Sequence, residues 1–141
     1  MSLIDAGPSS AAGKMLSVLR IVVGALFMEH GTQKLFNVPP AAMPGFPVHL
    51  MSQFGLAGVL ETFGGALILI GLLTRPVAFL LAGEMAVAYF QQHFPRSSFP
   101  IFNMGEPAVL FCFTYLYLMV AGGGEWSVDT MIANSRRGGR T

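Results

Sequence analysis

Four apolar stretches dominate this chain, at about 15–36, 54–73, 76–94 and 106–121, and each carries one glutamate: Glu29, Glu61, Glu84 and Glu106. About 20 apolar residues suffice for a helix to cross a bilayer. Inside a bilayer the backbone must satisfy its own hydrogen bonds, so segments of this kind fold as helices. The pattern predicts an all-α membrane protein, an antiparallel four-transmembrane-helix bundle.

Composition agrees. Hydrophobic residues make up 53% of the 141 and charged residues only 11%, whereas soluble domains carry about a quarter. Mean hydropathy is +0.62. A net charge of +1, without an arginine-rich or zinc-finger pattern, gives no reason to expect nucleic acid as a partner. The single cysteine, Cys112, lies in an apolar run, which excludes an intrachain disulfide and Cys-x-x-Cys redox chemistry. A redox role would need a bound molecule or a partner protein.

Residues 1–14 read as a flexible tail. Lys14 and Arg20 ahead of Ile21–Met28 mimic a signal peptide, but Glu29-His30-Gly31-Thr32-Gln33-Lys34 follows in place of a small-residue cleavage site. A retained first helix over about 15–36 is expected. It stops before Asn37 and Pro39-Pro40. Residues 37–53, with four of the nine prolines, read as an interfacial segment with a short amphipathic turn over Val48–Gln53. Thr74-Arg75-Pro76 joins the second and third helices in a tight hairpin. Gly122-Gly123-Gly124 ends the fourth and opens a C-terminal tail, 122–141. With both termini inside, Lys14, Arg20, Arg75, Arg136, Arg137 and Arg140 face inward against only Lys34 and Arg96 outside. The positive-inside rule then makes both termini cytoplasmic in a multi-pass protein of a bacterial-type inner membrane.

Small residues at helical spacing, such as Gly64-Gly65 and Ala78/Ala82/Ala86, suit close helix contacts. The polar groups are more telling. A carboxylate in hydrocarbon costs a few kcal/mol and needs a partner, a proton or a cavity. Glu84 lies ~12 Å along its helix from Pro76, near mid-membrane, and no basic residue stands within a turn of it. Glu84, Ala88 and Gln91 form one stripe. Glu61 and Glu29 lie in the outer half, and Glu106 is at the rim, where before Pro107 it reads as a helix cap. Lys34 reads as an outer-rim group that snorkels beside Glu29 and His30. Together Glu84, Glu61, Glu29, His30, Gln91 and His93 outline a candidate proton or ligand site in a chamber that opens outward.

No metal is expected. A di-iron bundle site wants Glu-x-x-His, and no glutamate here has a histidine three residues on. A bis-histidine haem on His30 and His93 is the weaker cofactor reading, because His93 sits at a loop. No intrinsic cofactor is expected; a quinone is the molecule that an apolar slot beside proton donors would take.

Several stretches resemble the DoxX family of small four-span membrane proteins. They are Leu19-Arg20-Ile21 through Glu29-His30-Gly31-Thr32-Gln33-Lys34-Leu35, Glu61-Thr62-Phe63-Gly64-Gly65-Ala66-Leu67 to Gly71-Leu72-Leu73-Thr74-Arg75, and Gly122-Gly123-Gly124-Glu125-Trp126-Ser127-Val128-Asp129. Gly123 departs from the family's usual Gly-Pro-Gly ending. The resemblance implies the four-span fold. It also implies a link to membrane redox assemblies, since some relatives serve quinone-reducing sulfur oxidation and others redox defence, while distant ones are assembly factors. Two functions stand side by side. One is a membrane subunit of an oxidoreductase assembly with a quinone-like ligand and proton handling. The other is a non-catalytic assembly subunit docking a larger membrane complex or forming a homo-oligomer.

Overall fold

Helix α1, Ser10–Phe36, is a long run without proline. The computed structural model describes residues 10–42 and 44–139, all-helical and without a strand among them. Residues 10–14 therefore belong to α1 and not to a flexible tail. The chain's C-terminal turn packs on them: Glu125 N–H reaches the Gly13 carbonyl, and Trp126 N–H donates to Ser17 Oγ at 3.0 Å. Residues 1–9 of the expected tail, Met43, Arg140 and Thr141 lie outside the described residues.

Asn37, at φ 56°, ends α1 in the left-handed region that asparagine tolerates. Its N–H closes back on Gln33 O at 2.9 Å. The described residues between 38 and 52 carry no helix, and Val48 N–H pins the segment to Lys34 O at 2.8 Å. Ser52 then caps α2, its Oγ accepting from Gly55 N–H.

Helix α2 covers Gln53–Ile70 and contains a π-helical turn over Leu60–Gly64. Gly71, at φ 73°, closes it. Its N–H bonds Ile68 O and that of Leu72 bonds Leu67 O, the paired pattern that satisfies a helix's last carbonyls. Helix α3 begins at Thr74, runs to Ala88 and ends in a second π turn, Tyr89–His93. Leu73 precedes it and cannot cap with its own side chain. Asp129 does so instead, accepting from Leu73 N–H at 2.8 Å and Thr74 N–H at 2.9 Å. A short turn α4, Pro100–Asn103, leads into α5, Glu106–Ala121. The C-terminal tail holds a further helix, α6, Val128–Gly138, capped by Ser127. It is held because Asp129 binds the start of α3 through its side chain and Gly71 O through its N–H.

The helices pack as two pairs. α1 runs along α2, and α3 along α5, while α2 and α3 touch only lightly. Gly24 and Gly65 allow the first pair to close: a methyl at Gly24 would sit 2.7 Å from Leu69 N and 2.9 Å from Gly65 O. Phe27, Ile68, Leu81, Tyr115 and Leu118 fill the centre. α1 and α2 are long and apolar enough to cross a membrane, yet only 28% and 33% of their apolar windows are buried inside the fold. A helix at the core of a soluble protein would be mostly covered; these keep their apolar faces outward. α5 is apolar but shorter.

Candidate functional site

The light contact between the two helix pairs leaves a cavity of about 430 Å³ in the seam between α2 and α3. Glu61, Glu84, Ala88, Gln91 and Lys34 line it, so one polar stripe of α3 faces one carboxylate of α2. Most of the wall is apolar. Phe54, Leu56, Phe79 and Val87 also line it and are exposed, so the cavity opens along the apolar flank of the molecule. The sequence pattern suggested a chamber among four helices opening outward. Helix pairing makes it a lateral groove instead.

Glu61 stands on the π turn of α2, where the widened coil shifts its side chain out of the α-helical register. It is 2% exposed, and Lys34 Nζ of α1 bonds its Oε1. Lys34 is thus not an outer-rim group: it turns inward, because the buried carboxylate across the helix pair is the stronger attraction. Glu61 Oε2 has no partner among the described residues. Glu84 goes further. Both its carboxyl oxygens are sealed from solvent, and neither has a hydrogen-bond partner among the described residues. Tyr115 of α5, fully buried, adds a third unpartnered polar group. It lies within electrostatic reach of both glutamates and packs edge-on against Phe27 at 5.0 Å.

Gln91, exposed on the second π turn, meets Gln53 of α2 and closes one end of the cavity with a side-chain hydrogen bond. The other sequence candidates lie elsewhere. Glu29 and His30 are exposed on α1, and His30 sets its ring edge against Phe111 at 5.9 Å. Lys34, expected beside Glu29 and His30, is engaged with Glu61 across the helix pair. His93 places Nδ1 3.0 Å from the Asn103 carbonyl and stacks near Tyr89. Glu106 is the exposed first residue of α5, and the cap position belongs to Gly105, whose N–H bonds Asn103 Oδ1 at 2.7 Å. Among the described residues no three His, Cys, Asp or Glu side chains gather to hold a metal ion.

At the other end of the molecule lies a polar cluster that the sequence pattern did not reveal. Arg20 is fully buried. Its Nε donates to Gly123 O at 2.7 Å, Nη1 to Ile68 O at 2.7 Å and to Leu69 O, and Nη2 to Trp126 O at 2.7 Å. It therefore satisfies the end of α2 and the turn after α5 together. Asp129, beside it, lies outside the apolar helices. Partial burial pushes its carboxyl up, but the Thr74 and Leu73 N–H groups and the Arg20 charge outweigh that and hold it below the ordinary carboxylate range. The only sequence signal was the Ser-x-Asp pattern after the three glycines.

Long apolar helices with uncovered outer faces and a polar-floored groove between them define a helical membrane protein. The DoxX family model matches residues 15–94. A protein of Haemophilus influenzae described as "Uncharacterized protein" is 39% identical over 117 residues, covering 81% of this chain and 87% of that one. The chain belongs to the DoxX family. No solved structure matches it significantly.

Proposed function

We propose that the chain is a multi-pass subunit of a bacterial-type inner membrane, crossing it four times with both termini cytoplasmic, and that it serves an oxidoreductase assembly. In this reading the seam cavity takes a quinone-like molecule from the lipid and Glu84 handles its protons. The observation that carries it is the Glu84 carboxyl, in the wall of an apolar groove, its oxygens closed to solvent and without a partner among the described residues. An ionised carboxylate in that position would be unpaired in a water-poor site, so Glu84 holds its proton at rest. The cavity volume falls in the range of small-molecule pockets, about 300–1,000 Å³.

The residues divide the work. Phe54, Phe79, Leu80 and Val87 give an apolar entrance; Glu84 gives or receives a proton; Glu61, neutralised by Lys34, keeps the floor free of net charge; Tyr115, within electrostatic reach of both carboxyls, adds a further hydroxyl. A quinone supplies two-electron, two-proton chemistry when bound. In this reading the electrons come from the partner. The test is a titration of the purified full chain with a short-tailed quinone, followed by parent-complex turnover with Glu84→Gln. Saturable binding that Glu84→Gln weakens, with turnover falling, supports the reading. No quinone binding together with unchanged turnover would sink it.

A second reading, a non-catalytic assembly subunit, draws on the exposed aromatics Phe79, Phe90 and Phe113, which give a partner's helices large apolar rings to pack on. Recovery of a stoichiometric membrane partner that survives every glutamate substitution would favour it.

A further inference from the structure

A second cavity, of about 640 Å³, lies at the opposite end from the Lys34–Glu61 pair, between the start of α3, the glycine turn after α5, and α6. Arg75 lines it from α3 and Arg137 from α6. Both side chains are exposed, and neither has a hydrogen-bond or ion-pair partner among the described residues. Gly123 and Gly124 form part of the wall, and their backbone N–H groups also donate to nothing there.

Two acidic groups share the cavity; Asp129 is committed elsewhere, and Glu125 is exposed without an ion pair among the described residues, so one free carboxylate stands against the two guanidiniums. Asp129 spends both oxygens on the Leu73 and Thr74 N–H groups, with Arg20 close by. Glu125 lies against Gly13 of α1: a methyl there would meet its Oε1 at 2.8 Å. What remains is two uncommitted guanidiniums, on two different elements, facing one space with spare amide donors. Guanidinium forks match phosphate oxygens, two N–H groups to two oxygens.

The position of the cavity selects the kind of phosphate. Trp126, Met131 and Ile132 are exposed beside it, on or just before an amphipathic helix whose last turn carries Arg136 and Arg137. A tryptophan and an amphipathic helix at the end of membrane helices mark the headgroup layer. We infer that this cavity binds the phosphodiester of an anionic phospholipid, with Arg75 and Arg137 closing on it from α3 and α6. The inference needs the chain to sit in a membrane but not the quinone reading, since the two cavities share neither walls nor probe.

The experiment titrates the full chain in detergent with short-chain phosphatidylglycerol, phosphatidylcholine or inorganic phosphate. Fluorescence of Trp126, the one tryptophan, and native mass spectrometry report binding and stoichiometry. One phosphatidylglycerol per chain is expected. Arg75→Gln and Arg137→Gln should each weaken it roughly fivefold, and the pair about twenty-fivefold. Arg136→Gln, outside the cavity, should change it less than about twofold. Unchanged melting transitions keep the comparison valid, and both cavity arginines are exposed, so folding should survive. Equal affinity for phosphatidylcholine, an Arg136→Gln loss as large as that of Arg137→Gln, or saturation by inorganic phosphate as tight as by lipid would each overturn the inference.

Discussion

The Lys34 ammonium of α1 bonds Glu61 Oε1 on the π turn of α2, while Glu61 Oε2 stays without a partner. Half of a buried carboxylate is therefore neutralised and the other half is held open beside Glu84 and Tyr115. Breaking such a pair from one side strands a charge. Lys34→Met should cost about 3 kcal/mol of stability, and the double variant with Glu61→Gln should recover most of it. Thermal unfolding in detergent measures both. Equal melting temperatures for Lys34→Met and the double variant would refute the pairing.

Arg20 gives its donors to four carbonyls from two separate regions. Lysine keeps the charge but not the planar fork. Arg20→Lys should cost about 2–3 kcal/mol, since buried carbonyls lose charged donors. Chemical denaturation would show it as a lower midpoint at constant slope.

Asp129 provides a pH signature. Its carboxyl is held below the ordinary value, so its stabilising effect is fully present above about pH 4 and fades as the pH falls through the lowered folded value. The fluorescence of Trp126 should stay constant from neutral pH to about 4 and then change as α6 leaves the start of α3. In Asp129→Asn that acid-side step should vanish.

Two glycines separate packing from propensity. A methyl at Gly24 meets the backbone of α2, which cannot move aside, whereas a methyl at Gly83 meets nothing within 4 Å. Gly24→Ala should separate α1 from α2 and lose roughly 2 kcal/mol or more. Gly83→Ala should fold at least as well, gaining up to about 1 kcal/mol from helix propensity. Melting curves of the pair, run side by side, decide the matter.

Tyr115 has a buried hydroxyl without a partner. Removing it should leave stability unchanged or slightly higher, since no bond is lost. In the proposed proton role, Tyr115→Phe should still lower turnover of the parent complex. A well-folded Tyr115→Phe variant with full turnover would remove Tyr115 from that role.

The stripe Glu84, Ala88 and Gln91 was legible in the sequence, because helical periodicity alone puts those residues on one face. The inward turn of Lys34 was not, for it depends on which helix lies beside α1. Arg20 reads in one dimension as a topogenic cation; its role follows from carbonyls 48 to 106 residues away. Tyr115 was hidden among the aromatics of an apolar run, and only burial without a partner separates it from them. The start of α3 looked like an ordinary helix start, yet its cap is borrowed from Asp129, a distance that no local pattern spans.

Those long separations set an order of events during biogenesis. Arg20 is made with α1, while Gly123 and Trp126, which accept two of its bonds, follow 103 and 106 residues later. Until they arrive, a guanidinium sits half-served near the membrane edge. The growing chain thus carries a guanidinium that is fully served only when the turn of Gly123 and Trp126 folds back on α1. A product cut short before Gly123 would leave that guanidinium without two of its four carbonyls.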